Sequence, residues 1–228
     1  MLKENLDIIK KKGINYIKID TRVRRYQPWI GDLVNIFYDQ IMEKSVFPKK
    51  FNGNIQLHYD ILKKELERVG GKKVLELATG SGNAVKFLNK NNQYTGIDIS
   101  PGLLRKACQR FRNNGFQNAE FFLTGAEDLP FQDKMFDIVI CHLSLNFFGC
   151  VEKVIHESTR VSKDCAIFFG SVPVPERKSN DATIRGRLFS REELNELFKA
   201  FGWEFVSLPE RNGVLLYFKA EKRKSQFN

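Results

Sequence analysis

From residue 73 onward, short apolar runs alternate with helix-like stretches, and few folds accept that pattern. KVLELA (73–78), YTGID (94–98), AEFFLTG (119–125), part of MFDIVICHLSLNFF (135–148) and CAIFFGSV (165–172) are too short for helices and rich in β-branched and aromatic residues. NAVKFLNK, SPGLLRKACQRFRNNG and VEKVIHESTRVSK between them carry helical spacing. In the second, Ser100 stands as an N-cap, Pro101 at the first helical position and Gly115 near the end. Runs that are apolar on both sides, joined by helices, predict an α/β doubly wound sheet, mostly parallel and covered on both faces.

The two ends of the chain read differently. FSREELNELFKAFG predicts a last helix, with Ser190 and Glu193 spaced as a capping box. WEFVSLP and GVLLYFKAE come next, joined by so few residues that they must pair antiparallel. Upstream, HYDILKKELERVGG has the spacing of a helix that packs on the first strand. Residues 1–57, rich in Tyr and Phe, read as a flap of helices and loops across the sheet's carboxyl edge, 58–220 as the α/β domain and 221–228 as a basic tail. On this reading, removing residues 1–50 leaves the α/β domain folded. The polar stretch PVPERKSNDATIRGR is long for a connection and reads as a lid.

A chain of 228 residues with 42% hydrophobic residues can bury one substantial core. No run has the length and apolarity of a membrane span, and charges interrupt the start where a signal peptide would be apolar, so a cytoplasmic protein is expected. Four cysteines without a CxxC pair and three scattered histidines predict neither a disulfide framework nor a metal site. The cysteines read as reduced and buried, and His58 and His156 as structural or exposed. A net charge of +10 raises the question of nucleic acid, but the basic residues fall in short groups interleaved with acids over the whole chain. A generally basic surface is the simpler reading, and a nucleic-acid partner is not expected.

The chemistry concentrates at the turn that closes the first strand. In a parallel α/β sheet, ligands bind beyond the carboxyl ends of the strands at this switch point. Gly80 and Gly82 in ATGSGNAV permit a tight turn and a ligand against the backbone, while Glu76 can accept from hydroxyls or an ammonium. Asp98, at the end of the second run, is placed to accept both hydroxyls of a ribose. A dinucleotide site would need glycine where Val85 stands, so the pyrophosphate signature is incomplete.

ELATGSG, GIDIS, AEDLPF and FDIVI, in this order and spacing over residues 58–220, resemble the class I S-adenosylmethionine-dependent methyltransferases, and particularly the branch of ubiquinone and menaquinone biosynthesis methyltransferases. The resemblance implies a seven-stranded sheet in the order 3-2-1-4-5-7-6 with an antiparallel last strand, and S-adenosyl-L-methionine as cofactor. It implies that Glu76, Ala78, Gly80 and Gly82 surround the methionine arm and ribose, that Asp98 holds the ribose hydroxyls and that Ile99 packs on adenine. Ala126 and Glu127 then lie at the adenine edge, with Cys141 and His142 beside the methionine arm. Many relatives carry Asp where this chain has Gly125, which leaves the adenine amino group to Glu127 or a backbone carbonyl.

In-line methyl transfer from a sulfonium needs positioning, exclusion of water and at most one base. His142 is the expected base or acceptor-binding group, and Tyr38 is the flap residue expected to reach the cofactor carboxylate. Abundant aromatics favour a small apolar or aromatic methyl acceptor. RNA, a protein acceptor, and a non-catalytic partner subunit are the alternatives.

Overall fold

The computed structural model describes residues 2–4, 6–19, 22–23, 26, 37–178 and 183–224. Its centre is a single sheet with strands β1 (Ile8–Lys11), β2 (Ile14–Ile19), β3 (Arg22–Val23), β4 (Lys73–Glu76), β5 (Gln93–Asp98), β6 (Ala119–Leu123), β7 (Phe136–His142), β8 (Ser162–Pro173), β9 (Trp203–Ser207) and β10 (Leu215–Lys222). The spatial order is β1-β2-β6-β5-β4-β7-β8-β10-β9, with β3 paired to β2. From β6 to β9 this is the expected seven-stranded order. The pairs from β6 through β8 are parallel, and β10 runs antiparallel to both β8 and β9.

Helices cover both faces, as two-sided apolar strands require. Helix α1 (Tyr38–Ile41) continues into a wider helical stretch, Met42–Lys50, and is succeeded by α2 (Ile55–Leu66) and α3 (Pro101–Asn113). On one face, Ile61, Leu62 and Leu66 of α2 and Leu104, Ala107 and Phe111 of α3 meet Val74, Tyr94 and Phe121. On the other, α4 (Val151–Val161) and α5 (Arg191–Ala200) bury Val154, Ile155, Leu194 and Phe198 against Val139, Phe168 and Phe218. The expected caps form: Ser100 Oγ accepts from Leu103 N–H at 3.1 Å, and Ser190 and Glu193 close a capping box.

Three expectations need correction. Residues 8–19 are strands: a hairpin turning at Lys12 and Gly13, both at positive φ, pairs β2 in parallel with β6 and extends the sheet edge. Among the described residues, the anticipated helical segment covers Tyr38–Ile41 and Met42–Lys50. Phe47 is only 1% exposed and lies in the core, as do Ile14 and Ile17, so these parts of the N-terminal segment pack into the body of the fold. Second, NAVKFLNK forms a single turn of tight helix, Asn83–Lys86. The Asn-rich sequence after it folds back on the backbone, Asn92 accepting from Lys72 N–H and donating to the Val69 carbonyl. Third, among the four free cysteines only Cys141 is buried, and Cys165 is exposed.

Candidate active site

Where β4 ends, three residues within five adopt left-handed backbone conformations: Ala78 (φ 52°), Gly80 (φ 57°) and Gly82 (φ 80°). The two glycines serve different ends. A Cβ on Gly82 would lie 2.7 Å from Cα of Ala107, so this glycine lets α3 pack against the elbow. A Cβ on Gly80 would meet nothing nearer than 3.9 Å, at the Tyr38 ring and the Ala78 carbonyl, so the space above Gly80 is open. Asp98, 8% exposed, braces the elbow from within: one carboxylate oxygen accepts from Gly80 N–H and the other from Ser100 N–H, each at 2.8 Å. These bonds occupy two of the roughly four acceptor positions of a carboxylate.

Above the elbow lies a cavity of about 390 Å³. Ala78, Gly80 and Tyr38 line it on the β4 side, Asp98, Ile99 and Leu103 on the β5 side, and Ala126 and Glu127 on the β6 side. Ser144, Phe147, Phe148 and Gly149, after β7, complete the wall. The volume falls within the range of small-ligand sites. Among the described residues, Asp98 and Glu127 are the charged groups of this lining, and neither Lys nor Arg contributes.

The space beside Gly125 is taken by another side chain. Tyr26 leans over it, its hydroxyl oxygen accepting from Gly125 N–H at 3.0 Å and its ring 3.5 Å from where a Cβ would stand. Tyr26 and Thr124 therefore wall the cavity beside Glu127.

A second void of about 70 Å³ adjoins the elbow and shares Tyr38, Ala78, Gly80, Leu143 and Ser144 with the larger cavity. Glu76 lies on this side, 6% exposed, and does not line the large cavity. One of its oxygens receives Thr79 Oγ1–H at 2.9 Å and the Tyr94 hydroxyl. Burial pushes the Glu76 carboxyl up to about 7, against those two hydrogen bonds, which favour the ionised form. His142 also faces the void. Its Nδ1 pairs with Ser171 Oγ at 3.1 Å, while its buried Nε2 has no hydrogen-bond partner among the described residues. Burial holds His142 well below the usual imidazole range, with His58 adding to the effect, and lowers His58 to about 3, so both rings are neutral at physiological pH.

The expected site residues thus divide. Ala78, Gly80, Asp98, Ile99, Ala126, Glu127 and Tyr38 share one cavity; Glu76 and His142 stand at its small neighbour. Gly82 packs against α3, and Cys141, 1% exposed, lines neither space and belongs to the core. Burial, then the nearby charges of Asp98 and Asp39, keeps the Tyr38 hydroxyl protonated far above neutrality, so it acts as a donor. Sequence reasoning missed Tyr26, Thr124 and Asp39. An aromatic-rich N-terminus was a signal for the first; nothing local marked the others. No group of three or more metal-ligating side chains converges among the described residues, and no helix there is long and apolar enough to cross a membrane.

An isolated elbow and cavity are shared by many reactions, and the fold's solved relatives reflect this. The chain superimposes on the cyclase SpnF with a TM-score of 0.68 at 17% identity, covering 88% of this chain and 99% of that one. It superimposes on an S-adenosylmethionine-dependent methyltransferase from Aquifex aeolicus with a TM-score of 0.62 at 17% identity, covering 80% and 95%. At such identity these establish the fold alone. In sequence, the chain is 33% identical over 98 residues to the demethylmenaquinone methyltransferase of Thermotoga maritima, covering 42% of this chain and 41% of that protein. The matched region thus spans about two fifths of the relative's length. Residues 69–202, more than half of the chain and including every described residue of the large cavity's lining except Tyr26 and Tyr38, match the model described as a methyltransferase domain, and the chain belongs to that family.

Proposed function

We propose that the cavity binds S-adenosyl-L-methionine and that the protein methylates a small, apolar or aromatic acceptor. The observation that carries this reading is the sign of the lining. A protein of net charge +10 has built a small-ligand cavity whose charged groups are Asp98 and Glu127, without a cation among its described residues. Such a lining opposes a pyrophosphate and favours a ligand with hydroxyls and positive charge. Asp98 would accept the ribose hydroxyls, Ile99, Leu103 and Ala126 would enclose the base, and the Ala78–Gly80 backbone would receive the amino-acid arm near Tyr38.

The bound cofactor supplies a methyl group on an already activated leaving group, so the protein's contribution is alignment and dryness. Tyr38, kept protonated and lining both spaces, can donate a hydrogen bond to the bound ligand. Phe147 and Phe148 give the acceptor side an apolar wall. His142, at the adjoining void, is neutral and has Nε2 unpartnered among the described residues, so it can accept a hydrogen bond from an acceptor group that reaches there, while burial keeps it a weak base. The matches to small-molecule methyltransferases, such as the one named for demethylmenaquinone, support an acceptor of this kind.

Calorimetry with S-adenosylhomocysteine and with NAD tests the cofactor assignment. Binding of the first at micromolar affinity and no binding of the second is expected; the reverse preference would sink it. A methyl-release assay over phenols, quinols, thiols and a structured RNA then ranks acceptors, with turnover on RNA alone as the contrary result.

A further inference from the structure

The helical segment in front of the cavity is attached in an unusual way. None of the four residues of α1 is fully buried, Tyr38 only partly so, and Phe37 and Ile41 are 58% and 38% exposed. Apolar anchoring begins with the partly buried Met42 and Val46 and is secured only at Phe47. Yet Tyr38 reaches both the large cavity and the void. Among the described residues, polar contacts tie this turn to the elbow.

Asp39 supplies the attachment. Its Oδ1 accepts from Ser81 Oγ–H at 2.6 Å and from Asn83 Nδ2–H at 3.3 Å, and its Oδ2 lies 2.7 Å from both Lys106 Nζ and Arg110 Nη2. Arg110 adds bonds of its own to Asn83 Oδ1 at 2.5 Å and Ser81 Oγ at 3.3 Å. One half-buried carboxylate thereby joins three segments: α1, the elbow between Gly80 and Gly82, and α3, the helix after the Asp98 strand. Burial alone would raise this carboxyl, but the hydrogen bonds from Arg110 and Lys106 prevail and keep it ionised well below the usual carboxylate range.

We propose that Asp39 is a positioning residue for cofactor binding: by clasping Ser81 and α3 it holds Tyr38 over Gly80 and fixes the elbow in the form the ligand meets. A ligand that contacts the Gly80 backbone and Asp98 then binds a surface already ordered from the far side, without the cost of ordering the segment itself. The proposal rests on the reading of the cavity as an S-adenosylmethionine site, and the test separates the two.

The test compares wild type with Asp39→Ala, Asp39→Asn and Asp39→Glu. Calorimetry with S-adenosylhomocysteine should show affinity reduced about tenfold or more in Asp39→Ala, less in Asp39→Asn, and largely recovered in Asp39→Glu. Thermal midpoints without ligand control for global stability; a clasp that merely stabilised the fold would lower the midpoint and leave the affinity of the folded protein unchanged. Hydrogen exchange on the ligand-free protein should show faster exchange over residues 38–46 in Asp39→Ala, with β4 and β7 unaffected. Affinity within twofold of wild type, or unaltered exchange over 38–46, overturns the proposal. If wild type itself fails to bind S-adenosylhomocysteine, the cofactor reading falls, and the exchange measurement still decides whether Asp39 orders the segment.

Discussion

Gly80 and Gly82 are two residues apart, share a left-handed backbone and yet should fail in opposite ways when given a methyl group. Both substitutions place an L-residue at positive φ, which costs about 1–2 kcal/mol. In Gly80→Ala that is nearly the whole penalty, because the new Cβ would find its nearest neighbours at 3.9 Å, an ordinary contact. In Gly82→Ala the Cβ would lie 2.7 Å from Cα and 2.8 Å from Cβ of Ala107, both on a buried stretch of α3. Neither atom belongs to a flexible side chain, so the helix must shift, and overpacking adds about 1–3 kcal/mol. The expected losses are therefore about 1–2 kcal/mol for Gly80→Ala and about 2–5 kcal/mol for Gly82→Ala. Binding should not track stability: the Gly80 methyl intrudes where both cavities meet, and it should weaken S-adenosylhomocysteine more than the Gly82 methyl does in whatever fraction remains folded. Urea unfolding at constant m-value measures the first quantity and calorimetry below the transition the second. Equal destabilisation by the two variants, or loss of binding in Gly82→Ala alone, would refute the division of labour between them.

The same geometry sets further outcomes. Asp98→Ala removes the acceptor for Gly80 N–H and Ser100 N–H as well as for the ligand, and affinity for S-adenosylhomocysteine should fall at least about tenfold, the scale of hydrogen bonds to a charged group. Glu76 has a folded-state pKa of about 7, above its value of 4.5 when unfolded, so its proton stabilises the fold at low pH. That stability fades as pH rises from 4.5 to about 7, with a slope of at most about 1.4 kcal/mol per unit; Glu76→Gln should abolish it in unfolding measured across this window. His58 works in the other direction, since its folded value of about 3 lies below the unfolded 6.5, and stability is lost as pH falls between them. The two slopes oppose each other from pH 4.5 to 6.5, and in Glu76→Gln the acid loss should steepen there. His142→Phe should keep cofactor affinity within a few fold but reduce turnover on a weakly acidic acceptor; undiminished turnover would remove His142 from the chemistry.

The centre of the sheet was legible because β4 and β7 are buried over most of their length and each crossover carries its own punctuation. Ser100, Pro101 and Gly115 delimit α3 as written, and the capping box at Ser190 forms. Asp98 and Gly80 could be placed in one site because a strand end and the elbow of its neighbour are adjacent in any sheet of this kind. What failed to show was whatever depends on contacts far along the chain. The β1–β2 hairpin turns on Lys12 and Gly13 without a strong turn dipeptide, and Ile14 is buried only because β6 and α3 arrive beside it. Tyr26 and Asp39 act through partners about 100 and 42 residues or more away, Gly125 and Ser81 among them, and no local spacing announces such pairs. Cys141 was misplaced for a simpler reason: consecutive strand residues face opposite sides, so it and His142 cannot both look into the same space.

The parallel pairing of β2 with β6 also bears on how the molecule is made. Ile14 aligns with Phe121, so 107 residues (121 − 14) must be added before the first strands meet their partner. At translation speeds of about 5–20 residues per second, the hairpin waits roughly 5–20 s with one edge unsatisfied. An unpaired edge that opens on Ile14 and runs through Ile17 is a template for wrong pairing, and the lysines at 10–12, at the tip of the same hairpin, are the kind of charge that keeps such an edge from recruiting another chain during the wait.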